Sequence, residues 1–149
     1  MSTNAFHAAL RERFAEFTPH VAICGMQLTT VAAEGVEATL PFREDWLGDT
    51  ERGLIHPGIV TVLVDSVCGA AVIARLASVE PIATLDLRMD YLRAGLRDLD
   101  IHCRAECYRH TDSIAFVHAS VWQRDRTEPI AVSQSAFMRT RRRKTGAPA

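Results

Sequence analysis

Asp65 is the residue whose type and place most suggest chemistry, because it lies in the middle of the most apolar stretch of the chain. From Pro57 to Leu76 the sequence reads PGIVTVLVDSVCGAAVIARL, in which only Thr61, Asp65, Ser66 and Arg75 are polar. An ionised carboxylate in such company gives up much of its hydration, so it is paired, protonated or employed. Pro57 suits the first turn of a helix, where its missing N–H has no intrahelical partner to lose. The run therefore predicts a helix over 57–76, apolar nearly all round and buried on most faces. Helical spacing places Gly58, Thr61 and Gly69 on or near the face of Asp65, and small neighbours leave a slot for a substrate. Taken alone, the same carboxylate could cap a partner helix or bond to Thr61 and Ser66.

The bulk numbers bound what can position that helix. A chain of 149 residues, 48% hydrophobic, forms one compact domain with a real core. Residues 139–144 (RTRRRK) carry +5, so the remainder sums to −6 within a total of −1, which argues against a general nucleic-acid surface. The domain is expected over 1–138, followed by a basic, solvated tail over 139–149. Near the N-terminus, Arg11, Glu12, Arg13 and Glu16 interrupt any apolar leader, and a central Asp is costly in a bilayer. Cys24, Cys68, Cys103 and Cys107 lack zinc-site pair spacing and read as buried reduced thiols. The expected setting is the cytoplasm, with no membrane span.

The hydrophobic pattern divides the rest into elements. Phe6, Ala9, Leu10, Phe14 and Phe17 recur at helical spacing, which predicts an amphipathic helix over 5–17. Residues 20–31 and 35–42 read as strands joined in a hairpin at 32–34, and residues 43–55 as a charged loop feeding the apolar helix. After Pro81 the chain alternates strictly, with Leu85, Leu87, Met89 and Tyr91 on one face and Thr84, Asp86, Arg88 and Asp90 on the other. Further strands are expected over 99–108, 114–123 and 130–139, separated by short gaps that favour antiparallel neighbours. The sum is an α+β domain whose antiparallel sheet packs on one long helix. His102, His110 and His118 form no metal-like cluster, and they read as solvent-facing or locally bonded rings.

The ordered set Gly53-Leu-Ile-His56-Pro-Gly58, Leu63-Val-Asp65, Gly69 and Ala83-Thr84-Leu-Asp-Leu-Arg-Met-Asp-Tyr91-Leu-Arg93 resembles the hotdog-fold acyl-CoA thioesterases of the phenylacetic-acid-pathway, 4-hydroxybenzoyl-CoA thioesterase-like type. The resemblance runs from about Val31 to Met138. It implies a curved antiparallel sheet wrapped around one central helix, and active sites between the two subunits of a dimer, which can pair again into a tetramer. It implies hydrolysis of an acyl-CoA thioester without cofactor or metal, with Asp65 as general base or nucleophile. His56 then helps place the substrate carbonyl, and Thr84 matches a position where a small hydroxyl residue orients water.

Two departures from the family pattern bear on chemistry. Pro57 replaces the first glycine of a His-Gly-Gly loop, so the N–H that would polarise the carbonyl is missing, and Gly58 N–H is the nearest local substitute. Thr50 stands where many members have an Asn, which reduces a side-chain amide to a hydroxyl. Thr61, Tyr91, Arg93, Arg109, His110 and Thr111 are candidate substrate or CoA contacts, the cationic ones facing phosphates. Arg88 and residues 139–144 are further candidates for those phosphates, and Trp46, Met89, Tyr91 and Phe116 for an acyl pocket.

Position 57 and Asp65 lie about 12 Å apart along one helix. One reacting carbonyl cannot reach both, whereas antiparallel helices of a symmetric dimer bring the N-terminus of one to the midpoint of the other. A homodimer is therefore the expected functional unit. The rival readings are a hotdog protein that binds acyl-CoA without turning it over, favoured by Pro57, and a hydratase or dehydratase on the same fold.

Overall fold

The computed structural model describes residues 1–140. Its centre is a helix, α3, over Pro57–Leu76. His56 caps it, Pro57 opens it, and Ala77 in a left-handed conformation (φ 46°) ends it with its N–H on the Ala74 carbonyl. Leu63, Val64, Val67, Cys68 and Val72 are fully buried along it. Its length and composition would suffice to cross a membrane, but here about half of it is buried, chiefly against a sheet.

The sheet has six strands, β1 (Gln27–Ala32), β2 (Gly35–Leu40), β5 (Ile82–Tyr91), β6 (Ile101–His110), β7 (Ile114–Trp122) and β8 (Ala131–Arg139), in the order β1-β2-β6-β7-β8-β5. All neighbours are antiparallel. Alternate residues of the central strands, among them Val36, Ala38, Cys103, Ala105, Val117 and Phe137, are buried and face α3. The expected sheet wrapped on a long helix is therefore present. Cys24, Cys68, Cys103 and Cys107 are free and buried, as their surroundings in the sequence suggested. Burial pushes the Cys68 thiol up to about 12, with a smaller contribution from the Asp65 charge, and burial raises Cys103 and Cys107 as well.

Two short helices close the open side. The first, α1 (Thr3–Phe17), starts at Ser2, whose hydroxyl accepts the Ala5 N–H, and packs along β1. Buried His7 bonds through Nε2 to the Ala74 carbonyl at 2.9 Å, which pins α1 to the last turn of α3. The second, α2 (Pro19–Cys24), corrects the strand expected from residue 20. Proline at its first position and Gly25 in the left-handed region (φ 70°) at its end are helix punctuation that outweighs the β-like run between them.

Three other expectations are corrected. The charged segment 43–55 is not plain loop: a 3₁₀ turn (Glu44–Trp46) leads into a small hairpin of β3 (Leu47–Asp49) and β4 (Leu54–Ile55). Strand β5 does not alternate cleanly, because its pairing with β8 shifts between Thr84 and Asp86 and Leu85 has no partner. Arg139, expected in a solvated tail, ends β8 with a side chain only 8% exposed and pairs with Glu80, itself 15% exposed, at 2.6 Å. The rest of the expected tail, from residue 141, lies outside the described residues.

Candidate active site

Asp65 is half-buried on the flank of α3 that the sheet leaves uncovered. Its Oδ1 accepts a hydrogen bond of 2.8 Å from Thr84 Oγ1. Strict alternation in β5 would have turned Thr84 away from Leu87, Met89 and Tyr91. The extra residue at Leu85 reverses the phase, so Thr84 lies opposite buried Phe137 and points to the helix. A β-bulge therefore creates the Asp65–Thr84 pair. The two residues border a cleft of about 340 Å³ between α3, β5 and the N-terminal helices, with Gly69, Phe14 and Ile82 among its walls.

A second cleft, about 580 Å³, opens at the N-terminus of α3 beside His56, Pro57, Tyr91 and Arg93. The β3–β4 hairpin holds His56 there, since the His56 N–H donates to the Trp46 carbonyl at 2.9 Å. Gly58 N–H donates to His56 Nδ1 at 3.0 Å. Nδ1 is thus the accepting nitrogen, and in the neutral ring the proton sits on Nε2. Two glycines fix the ring: a Cβ on Gly58 would come 2.9 Å from Nδ1, and one on Gly48 would come 3.1 Å from the His56 Cβ. Tyr91 Oη donates to the Pro57 carbonyl at 3.1 Å and lies 2.5 Å from Thr61 Oγ1, tying the end of β5 to the first turn of α3.

The two clefts share no lining residue, so Asp65 and His56 open onto separate surfaces of one chain. Arg93 lines the His56 cleft and pairs with Glu128 at 3.5 Å. Thr50 is exposed in the hairpin turn, and the cleft is lined instead by its neighbours Gly48 and Asp49. Arg109, His110 and Thr111 reach neither cleft. Thr111 closes the β6–β7 turn by accepting the Ile114 N–H at 3.0 Å, and its carbonyl accepts from Arg139, which also meets His110 Nδ1 at 3.3 Å.

Other candidates are occupied elsewhere. Arg88 bonds Asp90, and His118 faces Glu106 on the outer side of the sheet. His102 bonds Thr39 Oγ1 and stacks on Trp122. Trp46 is buried with its Nε1–H on the Pro41 carbonyl, and Met89 packs on the core, so of the four aromatic or sulfur candidates for a pocket only Tyr91 lines a cleft. Sequence reasoning missed Phe14, Phe17 and Val21 as walls of the Asp65 cleft. Phe14 and Phe17 recur at a helical spacing that reads as core, Val21 falls in a segment that reads as a strand, and nothing local says which core surface stays open.

An antiparallel sheet curled round one long helix, with an acid half-way along that helix and a His-capped N-terminus, is the hotdog fold. The chain belongs to the thioesterase superfamily, whose sequence profile matches residues 52–130. A Pseudomonas aeruginosa protein of known structure is 32% identical, with a TM-score of 0.80 over 91% of this chain and 99% of its own. Thioesterase superfamily member 2 of Mus musculus (19% identity, TM-score 0.76, 93% of this chain and 98% of that one) shares the fold. So does the PaaI protein of the Escherichia coli phenylacetic acid degradation operon (12% identity, TM-score 0.80, 93% and 96%). No curated protein sequence matches the chain.

Proposed function

We propose that the protein hydrolyses acyl-CoA thioesters, with Asp65 as the general base or nucleophile. The observation that carries this reading is the Asp65–Thr84 pair at the border of a largely apolar cleft, on the central helix of a thioesterase-superfamily fold. Thr84 steadies the carboxylate and offers its own oxygen to the attacking water. No cofactor is required for the step. The site is completed in a homodimer by the His56 loop of a second copy. Strand β5 supports this pairing, because it is a ten-residue edge of the sheet with nothing paired to its outer side among the described residues, and Leu85 and Tyr91 stand exposed on it.

The carbonyl donor differs from a backbone amide. Pro57 has no N–H, Gly58 N–H is held by His56 Nδ1, and Ile59 N–H is held by the His56 carbonyl. The group left to polarise the thioester oxygen is His56 Nε2–H, which the Gly58 bond keeps protonated. The same engaged first turn favours the second reading, an acyl-CoA-binding protein without turnover. Thiol release from a panel of acyl- and aryl-CoAs separates the two. The wild type is expected to turn over at least one member, and Asp65→Asn to lose about 10²–10⁴-fold in kcat, the usual worth of a positioned base. Saturable binding of every member without release of CoA establishes the binder instead.

A further inference from the structure

We infer that the Asp65 cleft is the acyl subsite and that it is built for an unbranched apolar chain of about eight to ten carbons, at about 1.25 Å advance per carbon from ~1.5 Å bonds. The inference rests on Asp65 serving thioester hydrolysis. Asp65, Ser66, Gly69, Ala70 and Ile73 form one stripe of α3 along the cleft. From Asp65 to Ile73 that stripe is about 12 Å long. Phe14, Phe17 and Val21 of the N-terminal helices face it. The carboxylate, Ser66 and Thr84 lie together at one end, so a chain whose carbonyl meets Asp65 runs away from them along a lining on which Thr18 is the one other polar side chain.

Two further observations fit a chain rather than a compact group. Phe17 and Val79 border the cleft while 53% and 64% exposed, which leaves apolar surface that an acyl tail would cover. At the middle of the stripe, Gly69 keeps the channel open. A Cβ there would make ordinary contacts with Ile82 Cδ1 at 3.6 Å and Phe137 Cε1 at 3.9 Å, so alanine is accommodated and a larger side chain fills the channel.

Thiol release with straight-chain acyl-CoAs of two to sixteen carbons tests the subsite. kcat/KM is expected to rise about fourfold per methylene, the equivalent of ~0.8 kcal/mol of transfer free energy, up to eight to ten carbons and then to level or fall. In Gly69→Leu the decanoyl-to-butyryl ratio of kcat/KM is expected to fall at least tenfold, and in Phe17→Asn, on the exposed rim, several-fold. A flat profile, a maximum at acetyl or benzoyl, or an unchanged ratio in Phe17→Asn overturns the inference even if Gly69→Leu fails to fold. Absence of turnover with every substrate removes the hydrolase reading separately. The subsite is then read by calorimetry: decanoyl-CoA must bind more tightly than butyryl-CoA and lose that margin in Phe17→Asn, and equal affinities overturn it.

Discussion

The chemistry of this site depends on single atoms held by unusual neighbours. Asp65 and His56 stand out in the sequence because a carboxylate in an apolar helix and a His before Pro-Gly need explanations. The atom assignments do not stand out. Thr84 faces Asp65 only because Leu85 is squeezed out of the ladder. A hydrogen bond to an ionised acceptor is worth about 1.5–3 kcal/mol, so Thr84→Val should lower kcat about ten- to a hundredfold while KM changes little. His56 offers a sharper comparison. Asn at this position can still accept the Gly58 N–H and cap α3 but carries no group at the place of Nε2, whereas Gln can extend an amide donor there. His56→Asn should fold normally and lose about 10²–10³-fold in kcat, with part of the loss recovered in His56→Gln. Nitrogen-15 shifts of the imidazole, which distinguish the tautomers, should show the proton on Nε2.

At the scale of elements, legibility followed the strength of local signals. Helix α3 was legible end to end, because an apolar run of twenty residues opened by proline has few other uses. Strands β6, β7 and β8 were found within two residues by alternation between turn residues. The short α2 and the β3–β4 hairpin were not, since six residues or fewer carry too little periodicity to compete with composition. A bulge is invisible to periodicity by its nature: the partner strand decides which residue is extra. The Glu80–Arg139 pair was hidden because a terminal basic run reads as solvated. Glu80→Ala removes the charged partner of Arg139, whose guanidinium keeps the Thr111 carbonyl, and should cost about 1.5–3 kcal/mol in chemical denaturation. Leu63→Ala, at the centre of α3, should cost about 2–5 kcal/mol through the cavity it leaves.

At the scale of the whole molecule, the proposed homodimer makes a direct prediction. If each site takes Asp65 from one copy and His56 from another, two inactive variants should complement each other. Mixing Asp65→Asn with His56→Asn under subunit exchange creates dimers that hold one intact site, and about a quarter of wild-type activity should return. Sites complete within one chain would show no recovery. The buried thiols set a different global property. Folded Cys68, Cys103 and Cys107 hold their protons above the ordinary thiol value of 9.0, while the unfolded chain releases them there. The folded state therefore binds more protons in alkali, and its stability, full below pH 9, should decline as pH rises from there toward about 12. Unfolding midpoints measured across that range check the sign.

His7 fastens α1 to the Ala74 carbonyl, nine residues or about two and a half turns along α3 from Asp65 and its bond to Thr84. The helix that walls the cleft is thus mounted on the far end of the central helix and takes no part in holding the reacting groups. If the cleft holds the acyl chain as proposed, this helix works as a ruler attached from outside to the reacting end. On that reading, variation within the first twenty or so residues would reset the accepted chain length while leaving the Asp65–Thr84 pair undisturbed.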